Sequence, residues 1–560
     1  MRFLAAIAAL PLAFALPQIS RTGKYLYDPT GARFYIKGVA YQPEGQLAAS
    51  SEANNQNGGF PEPSSFVDPL SSSQNCTRDI PYLRQLGVNA VRVYSVNSSL
   101  NHDACMSMLE DAGIYVMLDV SLPLNGSIDR SSPAWSTNLL DEYTTTIDAF
   151  TKYDNILAFN VGNEVINLVS NTNAAPYVKA AARDIKAYLK SVNSSALVGY
   201  SAVDGDADFR NTLAEYMTCG DDDVRVDIYG LNNYEWCGNE TLTSSNWNTI
   251  TQGFSNIAVA TYMSEYGCIF SPPRLWTEVT ALFASPVSDV FSGGVAFSYF
   301  PTSDGYGMVT FSDDGSSVVV SDDFTRLSAE YNSTNGPNSP AQSASSDTTG
   351  TCPGINATLL ASTTLPPTPD ESVCNCVNQN ALACRIIPAT ANQPAVVGSL
   401  TDYTCSLLGS SGSGASCDVI GGNGTAGTYG ELSFCSPAIK LSYAMSAYYE
   451  FNPISTSCDF SGNATLNPQR PNTGQDASTA ASQCLAQIPS GGVFTPTPSA
   501  TGSQTAPQTG SSSQSASASA SASSSASGAA SRGAELVGSR AVVGLVLGFI
   551  GVTIGAAAVF

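Results

Sequence analysis

The chain has 560 residues, a formal net charge of −23 and a single histidine. An acidic chain without basic clusters argues against nucleic-acid binding, and one histidine cannot build a histidine metal cluster. The 14 cysteines are even in number and read as disulfide bridges of an oxidising compartment rather than as zinc ligands, so neither metal nor cofactor is expected.

Residues 1–15 open with Met1-Arg2, an apolar run from Phe3 to Leu12 and Ala13-Phe14-Ala15, the pattern of a secretory signal peptide. The run is too short to span a membrane. Residues 16–331 alternate β-rich runs with helical patterns. Strands are predicted at Phe34–Tyr41, Ala90–Ser95, Tyr115–Val120, Ile156–Val161, Leu197–Ser201, Val226–Leu231, Ala258–Ser264 and Gly294–Phe300. Helical patterns fall between several of them, as at Cys76–Leu86 and Tyr177–Val192. Eight such units predict an α/β fold of the (β/α)8 TIM-barrel type. The rival, a doubly wound open sheet, loses support because no G-x-G-x-x-G follows the first strand.

Residues 332–351 lack apolar periodicity and read as a linker. Residues 352–490 are cysteine-rich and predict a small disulfide-rich α+β module. Residues 491–530 are Ser-, Ala- and Thr-rich, too poor in apolar surface to fold, and predict a disordered stalk. In residues 531–560 a polar spacer leads to the apolar run Ala541 to Phe560, preceded by small residues. That order is the grammar of a glycosylphosphatidylinositol anchor signal, with Ser527 or Gly528 as the attachment residue. Nine N-x-S/T sequons, at Asn75, Asn97, Asn125, Asn193, Asn239, Asn332, Asn356, Asn423 and Asn463, fit a glycosylated extracellular protein.

A barrel places its chemistry at the C-terminal ends of its strands. The fourth predicted strand runs into Asn163-Glu164 and the seventh into Ser264-Glu265. Two carboxyls there suit glycosidic cleavage: one donates a proton to the leaving oxygen and the other attacks the anomeric carbon. A pair about 5 Å apart gives retention, and a wider pair inversion. Asn163 could hold a sugar hydroxyl or cap the next helix, and Asp119 could orient a catalytic group or serve the fold. Tyr41, Tyr94, Tyr234, Trp236 and Tyr299 gather at the same rim, where aromatic rings suit the C–H faces of a glucan, although any one of them alone reads as core. His102 is expected on or near a helix surface, without a role.

These residues resemble a known family. The segments FYIKGVAYQ, NAVRVYSV, FNVGNEV, IYGLNNYEWCG, MSEYGC and a strand ending in FSYF are similar, in order, to the fungal β-1,3-glucanosyltransferases of glycoside hydrolase family 72. The resemblance implies Glu164 as acid/base and Glu265 as nucleophile, with Gln42, Tyr94, Asp119, Asn163, Tyr234 and Tyr299 lining the donor and acceptor sites. It implies the bridges Cys76–Cys105, Cys219–Cys352 and Cys237–Cys268. The last strand departs from the commoner YEY pattern, reading Phe297-Ser298-Tyr299. Asn423-Gly424-Thr425, Gly427-Thr428-Tyr429-Gly430, Ser442-Tyr443, Tyr448-Tyr449 and Cys458-Asp459-Phe460 resemble a family 43 carbohydrate-binding module, also called X8. Such a module would bind glucan or support the barrel.

The expectation is therefore a retaining transglycosylase that cuts an internal β-1,3 linkage and passes the new reducing end to another glucan chain. It would act as a monomer, held by a glycosylphosphatidylinositol lipid on the outer face of the plasma membrane or in the wall. Its partners would be glucan donor and acceptor chains. The alternatives are a hydrolytic endo-β-1,3-glucanase and a non-catalytic wall glucan-binding protein.

Overall fold

A computed structural model describes residues 16–46, 65–123, 126–470 and 474–486. The signal peptide, the stalk, the anchor signal with Ser527 and Gly528, and the sequon at Asn125 lie outside the described residues. Among the described residues no helix is long and apolar enough to cross a membrane.

The chain enters through a short antiparallel hairpin, β1 (Ser20–Thr22) and β2 (Tyr25–Tyr27). Eight parallel strands then close on themselves: β3 (Ile36–Ala40), β4 (Ala90–Val93), β5 (Tyr115–Asp119), β6 (Ile156–Asn163), β7 (Leu197–Val203), β8 (Ile228–Asn232), β9 (Ala260–Tyr266) and β10 (Phe291–Ala296), with β10 pairing back to β3. All eight predicted strands are present. The last begins three residues earlier than expected, because Gly293 and Gly294 hide the start of a strand in a run of low β-propensity. Helices wrap the barrel. The helix Ser73–Leu86 opens with Ser72 accepting from the Asn75 amide and ends at Gly87 in the left-handed region, and Pro176 sits in the first turn of Ala175–Ser191.

Side chains alternate across each strand, so two cores form. Ile36, Ala90, Met117, Ala158, Ile228, Tyr262 and Val295 fill the barrel interior together with Leu26 of the hairpin. Val91, Val93, Val116, Leu118, Phe159, Val161 and Met263 face outward into the larger core under the helices. Two irregularities interrupt that alternation near the C-terminal rim. Between β6 and β7 the register moves from Asn160↔Gly199 to Asn163↔Ser201, and between β8 and β9 from Leu231↔Met263 to Asn232↔Glu265. Each inserts one extra residue, which reverses the parity of the side chains that follow.

The stretch expected as a linker runs along the hairpin end of the barrel. Arg33 donates to the Asn338 side chain through its amide (2.9 Å) and to the Ser339 carbonyl through Nη1 (2.8 Å). Tyr27 donates to the Pro340 carbonyl, the Gly23 amide donates to Asp347, and Cys352 bridges to Cys219. Polar composition hid this order, because the contacts are hydrogen bonds rather than apolar packing. The other barrel bridges are Cys76–Cys105 and Cys237–Cys268.

The cysteine-rich module packs the helices Glu371–Asn380, Pro394–Ser410, Pro437–Phe451 and Ala477–Leu485 with two small antiparallel pairs, Cys384–Ile386 with Ala464–Leu466 and Gly422–Asn423 with Thr428–Tyr429. Its bridges are Cys374–Cys435, Cys376–Cys484, Cys384–Cys458 and Cys405–Cys417. It sits against the barrel's helical layer. The Thr137 amide donates to the Phe434 carbonyl at 2.9 Å, Arg183 donates to Pro366 and Thr368, and the rings of Tyr177 and Tyr429 meet edge-on at 5.6 Å.

His102 is not on a surface: it is 1% exposed, 2.8 Å from Asp68 through Nε2, and packed on the Phe150 ring. A buried imidazole needs such a partner, and the aspartate comes from the loop after β3, far from it in sequence.

Closure of the barrel sets a test. Gly293 has φ +85° beside Ile36, and a Cβ there would lie 2.2 Å from the Ile36 carbonyl oxygen. Gly293→Ala should cost at least about 2 kcal/mol, a fall of about 3 °C or more in the melting temperature measured by circular dichroism.

Candidate active site

Four strand ends meet around one buried guanidinium. Arg92 lies inward on β4, between Ala90 and Tyr94 in the alternation, and is 0% exposed. A buried charge must be fully hydrogen-bonded, and this one is. Its Nε (3.3 Å) and Nη2 (2.8 Å) donate to the two oxygens of Asp119 at the end of β5. Nη2 also donates to Asn163 Oδ1 at 2.8 Å. Nη1 donates to Glu265 Oε1 (3.3 Å), to the Ser264 carbonyl (3.2 Å) and to Asn232 Oδ1 (3.5 Å). The Tyr94 ring lies 4.2 Å from the guanidinium, a cation–π contact. Asp119 is braced further by Asn160 Nδ2 at 2.6 Å.

Glu265 owes its inward aim to the bulge on β9. Met263 faces outward, and without the extra residue Glu265 would follow it. Besides Arg92, its Oε1 accepts from the Tyr94 hydroxyl at 2.8 Å and its Oε2 from the Tyr234 hydroxyl at 2.9 Å. Glu164 follows the bulge on β6 and adopts φ +49°, a left-handed conformation that costs a non-glycine residue about 1–2 kcal/mol. Its amide donates to the Ser201 carbonyl and its carbonyl accepts from Arg130, which hold that conformation. Asn232 joins the two halves. Its Nδ2 donates to Glu164 Oε1 at 2.7 Å and to Asn163 Oδ1 at 3.2 Å, while its Oδ1 accepts from Ser264 Oγ at 2.7 Å and from Arg92.

Burial raises both carboxyls. The Glu164 carboxyl lies above its ordinary range, opposed by Asn232, Arg92 and Arg130. Burial pushes Glu265 up to about 7, with Arg92 opposing and the charge of Glu164 adding to the rise. The pair titrates together, because the first charge formed suppresses the second. At Glu265, the more enclosed group, burial outweighs Arg92 and the two phenols, all of which lower it. The donors work the other way: Glu265 has a guanidinium and two phenols, whereas Glu164 has one neutral amide. Burial and the nearby carboxylate also keep Tyr94 and Tyr234 well above the ordinary phenol range, so both remain donors.

Of the residues singled out in the sequence, Tyr94, Asp119, Asn163 and Tyr234 gather with the two glutamates. Gln42 uses both ends of its amide on backbone: Oε1 accepts from the Tyr94 and Ser95 amides, and Nε2 donates to the Val67 carbonyl at 2.6 Å. It braces β3 to β4 behind Tyr94. Tyr299 and Tyr41 turn instead to Asp79, at 3.2 and 2.9 Å, a buried carboxylate paired with Arg78. Trp236 is core, donating to Thr277 and packing on Trp247.

Arg92, Asn160, Phe297 and Tyr306 were not anticipated. For Arg92 a signal exists: one basic residue inside the apolar run Ala90–Ser95. Phe297 lies edge-on to Tyr94 and Tyr234 (6.4 and 6.3 Å), and Tyr306 is 5.2 Å from Phe297 and 5.7 Å from Tyr234. Together they form an aromatic wall beside Glu265. Among the described residues no group of three or more His, Cys, Asp or Glu side chains could hold a metal ion.

Residues 13–335 match the protein family described as Glucanosyltransferase, and residues 382–465 match the X8 domain. The chain is 42% identical over 461 residues to the 1,3-beta-glucanosyltransferase gas1 of Schizosaccharomyces pombe, covering 81% of this chain and 80% of that protein. It is 38% identical over 442 residues to the 1,3-beta-glucanosyltransferase GAS2 of Saccharomyces cerevisiae, covering 77% and 76%. An apo structure of Saccharomyces cerevisiae Gas2p is similar with a TM-score of 0.73 at 34% identity, over 84% of this chain and 97% of that one. Gas2p in complex with laminaritetraose and laminaripentaose has a TM-score of 0.70 at 33% identity, over 84% and 99%.

The donor set around Glu265 is testable by titration. Removing a donor to a carboxylate disfavours its ionised form, so Tyr94→Phe and Tyr234→Phe should each raise the Glu265 pKa above its starting value near 7. Carbon-13 NMR of labelled glutamate carboxyls checks the direction, and a fall in either variant would contradict the assigned donors.

Proposed function

This chain belongs to the glucanosyltransferase family, and on that premise we propose that Glu164 and Glu265 carry a double displacement on β-1,3-glucan. The observation that supports these roles is the unequal donor set. Glu265, held by Arg92, Tyr94 and Tyr234, is equipped to be the ionised nucleophile. Glu164, with Asn232 as the one hydrogen-bond donor to its carboxyl among the described residues, retains the proton.

In the first step a Glu265 oxygen attacks the anomeric carbon of an internal residue. The glycosidic C–O bond breaks, and the Glu164 proton passes to the departing 3-oxygen. A glycosyl ester on Glu265 remains, and the leaving chain departs with a free non-reducing end. Glu164 is now a carboxylate. In the second step it takes the proton from the 3-hydroxyl at the non-reducing end of an acceptor chain as that oxygen attacks the anomeric carbon. The ester breaks, Glu265 is regenerated and a β-1,3 linkage is remade. Two inversions give retention, and the covalent ester lets a second sugar chain replace the first. Water in place of the acceptor would give hydrolysis.

The Tyr234 and Tyr94 hydroxyls also serve the ester stage. As Glu265 loses its charge to the new bond, the phenols and Arg92 remain aimed at its oxygens and stabilise the carboxylate again as it leaves. Asn163 uses its carbonyl on Arg92 and Asn232, which leaves its amide N–H groups for a sugar hydroxyl. We place the protein at the outer face of the plasma membrane or in the wall, secreted by its leader and held by a glycosylphosphatidylinositol lipid, where glucan acceptors are present. The cysteine-rich module, fixed against the barrel, is placed to support it or to bind the same polymer.

The deciding experiment is incubation with a reduced β-1,3-oligosaccharide of defined length, followed by sizing of the products. Products longer than the donor are expected. Glu265→Gln and Glu164→Gln should each lower turnover by about 10³-fold or more. Full activity in Glu265→Gln would refute the assignment.

A further inference from the structure

The loop after β10 is pinned at its base and at its tip. Arg274, 4% exposed, donates through Nη1 to the Phe297 carbonyl at 2.7 Å and through Nη2 to the Gly307 carbonyl at 3.4 Å, so one guanidinium spans both ends of the loop. Its Nε donates to Asp323 at 2.9 Å, its carbonyl accepts from Arg326 at 2.6 Å, and Arg326 also pairs with Asp323. The guanidinium lies over the Trp276 ring at 4.6 Å and is 5.9 Å from the Tyr306 ring. At the tip, the Ser303 amide and hydroxyl each donate at 2.8 Å to the Glu44 carboxylate, which belongs to the loop after β3. The Tyr306 ring is thereby set beside Phe297 and Tyr234, and its phenol has no hydrogen-bond partner among the described residues.

We propose that Arg274 is a positioning residue that holds the Phe297–Tyr306 lip in place to seat a glucan chain, and so sets the balance between transfer and hydrolysis. This rests on the enzyme reading above. Glucosyl rings present C–H faces that suit aromatic walls, and a free phenol suits a sugar hydroxyl. Arginine is suited to the task because its planar fork reaches two carbonyls at once, which a lysine ammonium at that depth does not do in the same geometry. Water needs no platform to reach the glycosyl ester, whereas an acceptor sugar must be held in line with it. Loosening the lip therefore penalises the acceptor more than water. The hydrogen bonds of Arg92, Tyr94 and Tyr234 to Glu265 do not involve Arg274, so cleavage should be affected less.

The test compares the full chain with Arg274→Lys and Ser303→Ala on reduced β-1,3-oligosaccharides of defined length, scoring transfer and hydrolysis products separately. Arg274→Lys should lower the transfer-to-hydrolysis ratio about five- to tenfold and raise the apparent KM for acceptor, with cleavage turnover within about threefold of the parent. Ser303→Ala, which loosens only the exposed tip, should move the ratio the same way by about twofold and decides the matter if Arg274→Lys does not fold. Transfer and hydrolysis falling in proportion, or an unchanged ratio in the folded variants, would overturn the proposal. A parent chain that cleaves nothing overturns the enzyme reading and this inference with it, whereas a parent that transfers while the variants keep its ratio overturns this inference alone.

Discussion

The buried guanidinium of Arg92 is the constraint on which the rest of the site depends. A charge at 0% exposure is tolerable only with every donor engaged, and its partners come from the ends of β5, β6, β8 and β9. Those strands therefore converge on one point whose geometry a flexible side chain would not hold. Arg92 also couples the two glutamates electrostatically, lowering both against the burial that raises them. Arg92 brings one guanidinium to a cluster of carboxyls that includes Asp119 and Glu265. Ionising both glutamates places two further charges in the same low-dielectric region, so the two carboxyls titrate as a coupled pair. One arginine thus fixes the position of the Glu265 carboxyl and makes the surroundings of the two glutamates unequal.

Much of the scaffold was legible in the sequence. Apolar strands buried on both faces leave runs such as Tyr115–Val120 and Ile156–Val161 that few other structures produce, and the glutamates at two strand ends stood out because such positions are rarely polar without a partner. What was not legible is two-residue geometry. Strict alternation from Met263 sends Glu265 into the helical layer, and only the extra residue on β9 returns it to the barrel mouth. The same holds for Asn163 on β6. A bulge leaves no mark in composition or periodicity, so the functional aim of both side chains had to come from the resemblance or from the structure.

The aromatic rim shows the same limit from the other side. Tyr41, Tyr94, Tyr234, Trp236 and Tyr299 all stand near strand ends, yet only Tyr94 and Tyr234 reach Glu265. Tyr41 and Tyr299 are drawn to Asp79, a carboxylate on the helix Ser73–Leu86 that no local pattern connects to either. That buried cluster ties the first barrel strand to the segment after the last. Tyr306, by contrast, lies in a loop without regular periodicity, and its place beside Phe297 follows from long-range anchors at Arg274 and Glu44. Side chains whose partners are hundreds of positions away cannot be ranked from their neighbours alone.

Strand-end glutamates suffice to cut a glycosidic bond, so the surroundings must supply whatever favours a sugar over water as the second nucleophile. Glu265 is 8% exposed and walled by Tyr94 and Tyr234, with Phe297 edge-on to both rings. An ester formed there is screened from bulk solvent on that side, and an incoming sugar loses little by displacing the remaining water if aromatic faces receive its C–H surface. The advantage of the acceptor then depends on how rigidly those faces are held, because a mobile wall must be ordered at each encounter and the cost of ordering falls on the acceptor alone. The disulfide Cys237–Cys268, the Gln42 brace and the Arg274 fork all act on the segments that carry this wall. On the proposal made for Arg274, rigidity at the rim favours rejoining a glucan over hydrolysing it.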